Sequence, residues 1–252
     1  MSRTVLVTGA AGGIGGAIAR RFLAEGADVV LSDRSEAACT ALREQLQRPE
    51  GVAVVAADVA DADSARACVR SAGEHFGGLD VLVNAAGLYP SRPLMEMSDA
   101  EWRGVLATNL DGPFALSTEF ARTLAAEGRP GAVVNVTSTA GERARRGAAH
   151  YCTSKAGLTM LTKALALEFA EYRIRANAVA PGFVEVDSEV NPLGADYVRA
   201  VQAGRPWPRP GTPDDVAAAA AYLCSADAEW ITGTTVTVDG GAGAGNAALP
   251  LA

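Results

Sequence analysis

The sequence has few of the residues from which metal sites and disulfide frameworks are built. Only two histidines occur, His75 and His150, and neither belongs to a cluster with metal-ligand spacing. The four cysteines are scattered without paired spacing, which favours free thiols in a reducing, cytoplasmic compartment. We therefore predict no metal centre and no disulfide-stapled fold.

Long apolar runs are also missing. No stretch of about eighteen uninterrupted apolar residues occurs, so we predict no transmembrane span and no membrane partner. The first apolar run is short and is followed at once by glycine, so we expect a first strand there and not a signal peptide. With 22 basic and 29 acidic residues the formal charge is -7, which argues against a nucleic-acid partner.

Short apolar segments of two alternating types fill the chain instead. Period and length predict strands at 4–8, 27–33, 51–59, 79–87, 131–138, 174–181 and 234–241. They predict helices at 15–26, 35–47, 61–76, 98–110, 112–127, 150–171 and 213–224. Near-continuous apolar strands that alternate with helices predict an α/β fold, a Rossmann-like, doubly wound parallel sheet of about seven strands with helices on both faces.

The 252 residues suffice for one large core, so we expect a single domain over 1–252. Two segments depart from the regular alternation. The Pro- and Gly-rich stretch 183–212 is long for a loop in a compact domain and is predicted to be a substrate lid. The stretch 242–252 is predicted to be a small-residue tail.

A glycine-rich turn joins the first strand to the first helix in "VLVTGAAGGIGGAIAR". Gly9 suits a tight turn, Gly13 suits close approach of a pyrophosphate to the backbone, and Gly15 suits close packing of the helix on the sheet. The free N–H groups of a helix N-terminus favour an anion. Since the turn follows a strand and opens a helix, we predict a dinucleotide site that includes Thr8 and Ile14.

A carboxylate, Asp33, ends the second predicted strand. At this point a carboxylate can accept both ribose hydroxyls of adenosine and would repel the 2′-phosphate of NADP. The neighbouring Arg34 is either a solvated residue at the start of a helix or a holder of that phosphate. The pair favours NAD over NADP as the cofactor.

Polar and small residues follow the third and fourth predicted strands. Asp58 and Val59 end the third, and Asp58 is placed to bond an adenine amino group. The fourth ends in "NAAG", and these residues are either cofactor contacts or structural turn residues: Asn84, Ala85, Ala86 and Gly87.

Tyr151 and Lys155 stand four residues apart on the long predicted helix and so share one face. A free tyrosine has a pKa near 10, too high for a base at neutral pH. We expect the Lys155 ammonium and an oxidised nicotinamide ring to lower that pKa, so that Tyr151 can exchange a proton with an alcohol or carbonyl. Ser138, at the end of the fifth strand, can donate a hydrogen bond to the substrate oxygen.

Taken together, these motifs resemble the short-chain dehydrogenase/reductase family of the single-domain type. The resemblance covers residues 3 to 241 and includes "TGAAGGIG", "NAAG", "YCTSK", "PG" at 181–182 and "ITGTTVTVDGG". It implies an NAD(P)-dependent oxidoreductase acting on an alcohol or carbonyl, with Asn109, Ser138, Tyr151 and Lys155 as catalytic residues. It gives Lys155 a second role at the nicotinamide ribose and Asn109 a role in a proton relay. It also implies a homodimer or homotetramer built on the long helices.

The resemblance implies further contacts on the nicotinamide and substrate sides. Pro181, Gly182 and Val184 match cofactor-binding positions, but Val186 stands where the family often has a threonine that bonds the carboxamide; Ser188 or backbone groups are the alternatives. Residues at pocket-lining positions or beside the predicted lid are Tyr89, Thr139, Ala140 and Trp207.

The substrate stays open at this point. Arg143, Arg145 and Arg146 could meet an anionic substrate, or form a solvated or subunit-contact surface. Polyols, secondary alcohols, hydroxy-esters and oxoacyl carriers all fit, and an NADPH-dependent 3-oxoacyl or ketone reductase is the main alternative. A catalytically silent nucleotide sensor of the same fold is a second. A serine hydrolase is disfavoured because "TSTAG" lacks the glycine two residues before the nucleophile.

Overall fold

The computed structural model describes residues 2–186, 198 and 206–245. The strands are β1 (Thr4–Thr8), β2 (Asp28–Asp33), β3 (Val52–Ala56), β4 (Val81–Asn84), β5 (Gly131–Val136), β6 (Ile174–Pro181) and β7 (Thr235–Val238). The helices are α1 (Gly13–Ala24), α2 (Glu36–Gln45), α3 (Ala62–Gly73), α4 (Asp99–Leu106), α5 (Gly112–Glu127), α6 (Ala149–Phe169) and α7 (Pro213–Cys224). A π-helical turn, Ala107–Asp111, joins α4 to α5.

The strands form one seven-stranded sheet in the order β3-β2-β1-β4-β5-β6-β7, and every pairing is parallel. The chain moves outward in one direction from β1 to β3 and then in the other direction from β4 to β7. The order therefore reverses between β1 and β4. In such sheets the ligand crevice lies at the carboxyl ends of the strands at this reversal. The predicted fold class is confirmed.

Helices cover both faces of the sheet and define two apolar clusters. One cluster packs α1 and α7 on the sheet, with the fully buried Phe22 and Leu223, and the other packs α3, α5 and α6, with Phe120 and Leu124. Continuous apolar strands are what a sheet buried on both faces requires. These two layers hold the strand ends in place around the crevice.

Several element boundaries differ from the prediction. The fourth strand ends at Asn84 and not at 87, the third at Ala56, and the seventh at Val238. The two helices predicted at 98–110 and 112–127 are one helical run that passes through the π-helical turn without a break. Of the predicted lid 183–212, residues 187–197 and 199–205 lie outside the described residues, as does Ser188; of the tail, 246–252 do.

The four cysteines, Cys39, Cys68, Cys152 and Cys224, are free and buried. Over the described ranges, no helix is long and apolar enough to cross a membrane. Within that same part of the chain, no group of three or more histidine, cysteine or acidic side chains could hold a metal ion.

Candidate active site

The glycine turn after β1 packs directly against the end of β4. Gly9 has φ +65°, and a Cβ on it would lie 2.6 Å from Cα of Ala86. Thr8 is buried, and its Oγ1 accepts the backbone N–H groups of Ala85 at 3.2 Å and Ala86 at 3.4 Å. A Cβ on Gly15 would lie 2.2 Å from the carbonyl oxygen of Gly9. These contacts leave room only for glycine at both positions, because the turn, the helix and β4 converge there.

The N-terminus of α1 offers backbone donors to the crevice. Its N-cap is Gly12, which has no side chain to cap the helix, and its first turn carries no acidic residue. The first N–H groups of a helix lack intrahelical acceptors, so those of Gly13 and Ile14 suit an anion. A Cβ on Gly13 would lie 2.9 Å from Cγ1 of Val186, so the chain after β6 passes over this turn.

Asp33 lies at the carboxyl end of β2, at the edge of the same crevice. The residue is half-buried, and its Oδ1 accepts the backbone N–H of Ser35 at 3.3 Å. Arg34 is exposed. The Asp33 carboxylate therefore lies where the adenosine ribose of a bound dinucleotide would lie. The guanidinium group of Arg34 is on the next residue.

Asp58 and Val59 follow β3. Asp58 is exposed, and its Oδ1 accepts the backbone N–H of Ala60 at 3.0 Å. Val59 is buried, and its carbonyl oxygen would lie 2.5 Å from a Cβ on Gly112. The aspartate therefore remains at the crevice rim, whereas the valine side chain packs in the core.

Asn84 faces the core and not the crevice. It is 2 % exposed, and its Nδ2 donates to Asn135 Oδ1 at 2.8 Å and to Ser117 Oγ at 3.1 Å. Asn135 continues the chain of bonds to Thr162 Oγ1 at 2.9 Å. Of the two roles left open for Asn84, the structural one accounts for its side chain, because the amide links the sheet to α5 and α6.

The last residue of "NAAG", Gly87, lies next to Asn109 in the π-helical turn. A Cβ on Gly87 would lie 3.5 Å from Asn109 Oδ1 and 3.6 Å from Lys155 Nζ. Asn109 is fully buried, accepts the N–H of Leu88 at 2.7 Å and donates to the Leu88 carbonyl at 2.8 Å. Its Nδ2 also donates to Ser154 Oγ at 3.1 Å. The asparagine side chain therefore fixes the loop after β4 against α6.

Ser138 and Tyr151 meet at the carboxyl end of β5. Ser138 Oγ accepts the backbone N–H of Ala140 at 3.1 Å within the short helical turn Thr139–Gly141, and it donates to the Pro181 carbonyl at 3.5 Å. The Ser138 hydroxyl also lies close enough to the Tyr151 phenol to lower its pKa. The ring of Tyr89 stands edge-on to that of Tyr151, with centroids 6.4 Å apart. A hydroxyl pair beside an aromatic wall can bind and protonate a carbonyl oxygen.

The direction of the Tyr151 pKa differs from the prediction. Burial raises the pKa of Tyr151, and the neighbouring Ser138 hydroxyl and the charge of Arg145 lower it in part. The Lys155 ammonium donates its hydrogen bond to the Val136 carbonyl and not to the phenol. Burial therefore dominates in the protein without a bound cofactor, and the lowering expected from Lys155 together with an oxidised nicotinamide ring stays a prediction.

Lys155 is a buried amine. Its Nζ donates to the carbonyl oxygen of Val136 at 2.7 Å and lies 5.8 Å from the centroid of the Tyr151 ring. Burial lowers the pKa of Lys155 to about 8, so it is mostly protonated at neutral pH. It is a cation next to the phenol and to Gly87, where a ribose hydroxyl could be held.

The predicted pocket residues Thr139, Ala140 and Trp207 differ in exposure. Thr139 and Ala140 are half-buried in the turn after Ser138. Trp207 is 59 % exposed, and its backbone N–H donates to the Gly240 carbonyl at 3.1 Å, which anchors the loop. The indole therefore borders solvent.

The segment after β6 lies at the carboxyl end of the sheet and contacts the segments after β7 and before α7. Pro181 is buried at the strand end, and a Cβ on Gly182 would lie 2.6 Å from Cβ of Asp239. Val184 forms a bridge with Gly211. The two ends of the predicted lid are therefore paired at its base.

The three arginines between Ser138 and Tyr151, Arg143, Arg145 and Arg146, lie in different environments. Arg143 donates to the carbonyl oxygen of Ala242 at 3.1 Å and so ties the loop after Ser138 to the C-terminal segment. Arg145 is exposed and acts on Tyr151 through its charge, and Arg146 is exposed.

Two residues near the site were missed by the sequence reasoning. A Cβ on Gly141 would lie 2.9 Å from the backbone of Lys155 and Ala156, so this glycine lets the Ser138 turn rest on α6. His150 is fully buried, and its Nδ1 accepts the backbone N–H of Tyr151 at 2.9 Å. The only sequence signals were a glycine three residues after Ser138 and a histidine directly before Tyr151.

The residues at the crevice fit a nicotinamide dinucleotide. Positions where a Cβ would collide, an uncapped helix N-terminus and a carboxylate at the end of β2 lie along one edge of the sheet. The hydroxyl pair and the buried amine lie farther along that edge. The order matches a phosphate site between an adenosine end and a reactive end.

Comparisons with known proteins agree with this geometry. A family model described as enoyl-(acyl carrier protein) reductase matches residues 9–243. 3beta-hydroxysteroid dehydrogenase 1 of Eggerthella lenta is 40% identical over 95% of this chain and 93% of its own length. 3-oxoacyl-(acyl-carrier-protein) reductase of Vibrio harveyi is 36% identical over 95% and 96%. The crystal structure of a short-chain type dehydrogenase/reductase from Mycobacterium marinum superposes with TM-score 0.89 at 31% identity, covering 95% of each chain.

Proposed function

The chain belongs to the short-chain dehydrogenase/reductase family and is an oxidoreductase, and we propose that it moves hydride between NAD(H) and an alcohol or carbonyl group of a small molecule. The observation that carries the proposal is the Ser138 hydroxyl next to the Tyr151 phenol and beside the buried Lys155 amine, at the sheet edge that begins with the glycine turn. When bound, the cofactor supplies or accepts the hydride. The residues of the chain hold the substrate, transfer the proton and bind the cofactor.

In this proposal the residues have distinct roles. Ser138 donates a hydrogen bond to the substrate oxygen and holds it next to Tyr151. Tyr151 gives its phenolic proton to a forming alkoxide, or takes a proton from an alcohol in the reverse direction. Lys155 holds ribose hydroxyls, and its charge favours the phenolate once a bound cofactor reorganises the site. Asn109 holds the loop after β4 in register with α6.

The raised pKa of Tyr151 suits the reductive direction. A phenol that stays protonated at neutral pH is a ready proton donor to a carbonyl oxygen. Oxidation of an alcohol needs the phenolate and should therefore be favoured at higher pH.

Removal of the phenolic oxygen tests the assignment. Tyr151→Phe keeps the ring, so we expect it to fold and to bind NADH but to lose about 10² to 10⁴ in kcat on the best substrate of a panel of alcohols, sugars and ketones. Tyr222→Phe removes the same atom from an exposed site on α7 and serves as the control. If Tyr151→Phe kept the wild-type kcat, the proposed mechanism would be wrong.

The preference for NAD over NADP rests on Asp33. Its charge would face a 2′-phosphate, and a desolvated like-charge contact costs several times more than the exposed Arg34 could recover. We expect a higher kcat/KM with NAD(H), and a narrower preference in Asp33→Ala than in the control Asp63→Ala, whose side chain is fully exposed. Equal kcat/KM values for both cofactors in the wild type would contradict the proposal.

A second candidate is NADPH-dependent reduction of a 3-oxoacyl or ketone substrate. The Vibrio harveyi relative is named as a 3-oxoacyl-(acyl-carrier-protein) reductase, and Arg34 offers a cation where a 2′-phosphate would lie. A 3-oxoacyl thioester assayed with NADPH and with NADH separates the two candidates. A silent nucleotide sensor is disfavoured because Ser138, Tyr151 and Lys155 are all present and adjacent.

We also propose a single-domain chain that forms a homodimer or homotetramer in the cytoplasm. Large apolar side chains on α5 and α6 are exposed, with Phe114 at 49 %, Met160 at 63 % and Leu167 at 82 %. Such surfaces on two adjacent helices favour self-association. Free thiols in all four cysteines suit a reducing compartment. Light scattering of the purified chain tests the oligomeric state, and a monomer would contradict it.

A further inference from the structure

Helix α6 begins without a side-chain cap. Its N-cap is Ala148, whose side chain offers no acceptor for a first-turn N–H. The first N–H groups of a helix have no acceptor inside the helix, and uncapped first turns fray. Tyr151 is the third residue of α6, so its amide belongs to this turn. The phenol next to Ser138 is thus carried by the first turn of the helix, which the N-cap residue does not secure.

His150 supplies the missing acceptor from inside the protein. Its ring is fully buried, and Nδ1 accepts the Tyr151 N–H at 2.9 Å. Accepting there requires a lone pair on Nδ1, so the proton of the neutral imidazole sits on Nε2. Burial lowers the pKa of His150, against an opposing effect of the Glu101 charge, and this keeps the ring neutral at pH 7.

A buried imidazole at this position lowers the stability of the fold relative to an apolar ring. Within the described residues its buried Nε2 has no hydrogen-bond partner. An unpaired buried donor costs free energy, and a phenyl ring would fill a similar volume without that cost. The property that distinguishes histidine from phenylalanine here is the acceptor at Nδ1, and that acceptor serves the Tyr151 amide.

We propose that His150 is a positioning residue for Tyr151: by holding the Tyr151 amide it fixes the first turn of α6 and aims the phenol at Ser138. This inference rests on the proposed function of Tyr151. The phenolic oxygen lies at the far end of a long side chain, so a small rotation of the turn is amplified there. Reacting groups must stay within roughly 0.5 Å and 10–20° of the productive geometry.

Two variants separate the acceptor from the ring. His150→Phe keeps the ring and removes the acceptor, whereas His150→Asn places a carbonyl oxygen near the position of Nδ1. We expect His150→Phe to lower kcat about tenfold or more, with the Kd for NADH within about twofold of wild type. We expect His150→Asn to recover most of kcat even if its Tm is lower. His75→Phe, at the only other histidine, is the control.

Amide hydrogen exchange at Tyr151 gives a readout independent of turnover. We expect faster exchange of this amide in His150→Phe and wild-type protection in His150→Asn. If no substrate of the panel were turned over, the proposed function would fail while the exchange data still decided the role of His150. Wild-type kcat or unchanged Tyr151 protection in His150→Phe would overturn the inference, as would an Asn variant damaged as much as the Phe variant in both readouts.

Discussion

Replacing Lys155 by methionine should remove a pH dependence of stability that the protein owes to one buried amine. Lys155 is 5 % exposed, and burial lowers its pKa to about 8, from an ordinary value near 10.5. The folded protein therefore releases the Lys155 proton more easily than the unfolded chain. Between the two pKa values the unfolded chain binds more protons, so the free energy of unfolding rises with pH across that window.

The size of the effect follows from the shift. A displacement from 10.5 to about 8 corresponds to about 3 kcal/mol, which is a full penalty below pH 8 and vanishes near pH 10.5. Between pH 7 and pH 10 the wild type should gain about 2 to 3 kcal/mol from Lys155 alone. The raised pKa values of Cys39 and Cys224 act in the opposite direction, but they are present in every variant and cancel in a difference.

Urea unfolding at pH 7, 8, 9 and 10 measures the difference directly. Relative to wild type, Lys155→Met should be most stable at pH 7 and should lose about 2 to 3 kcal/mol of that relative stability by pH 10. Lys163→Met, at the chain's other lysine and exposed on the same helix, should show no such trend. Parallel stability curves for wild type and Lys155→Met would show that the amine is not held at a lowered pKa.

Two further predictions concern glycines at close contacts. Gly15→Ala should lower the free energy of unfolding by about 1 to 3 kcal/mol and weaken NADH binding, because its Cβ would lie 2.2 Å from the Gly9 carbonyl oxygen. The control Gly104→Ala, whose Cβ would have nothing within 4 Å, should raise the free energy of unfolding by about 0.5 to 1 kcal/mol. Thermal melts with equal Tm for both variants would refute the contact. Gly141→Ala should push the turn that carries Ser138 off α6, so steady-state kinetics should show a lower kcat with the Kd for NADH unchanged, and an unaltered kcat would count against that packing.

The sequence predicted elements best where local pattern and tertiary pairing agree. The sixth strand and the last helix lie where they were expected. The fourth strand stops early because Thr8 Oγ1, from a neighbouring strand, takes the amides of Ala85 and Ala86. The seventh stops because the Asp239 carboxylate accepts the N–H groups of Gly241 and Gly243 and turns the chain. Neither the long-range bonds of Thr8 nor the local turn made by Asp239 leaves a periodic signal in the sequence.

The sequence indicated which residues form the site, but it did not indicate how deeply each side chain is buried or what it contacts. Ser138, Tyr151 and Lys155 converge as their positions at strand and helix ends suggested. The burial of Asn84 and the raised pKa of Tyr151 depend on what packs around each side chain, and no spacing rule contains that. The sequence indicated of His150 only that it belongs to no metal-ligand cluster, because its acceptor role depends on how α6 starts.

The π-helical turn Ala107–Asp111 is, in terms of helical phase, one extra residue in an otherwise regular run. Each such residue advances the following helix by about 100°. The segment before the turn, α4, packs on α6, whereas the segment after it, α5, packs on α3 and the sheet, so one straight helix could not present both faces. Pro113 fits this shift, since an α-helix would need its missing N–H for the Asn109 carbonyl. Deleting one residue of the turn would restore a continuous helix at the cost of turning Asn109 away from Leu88.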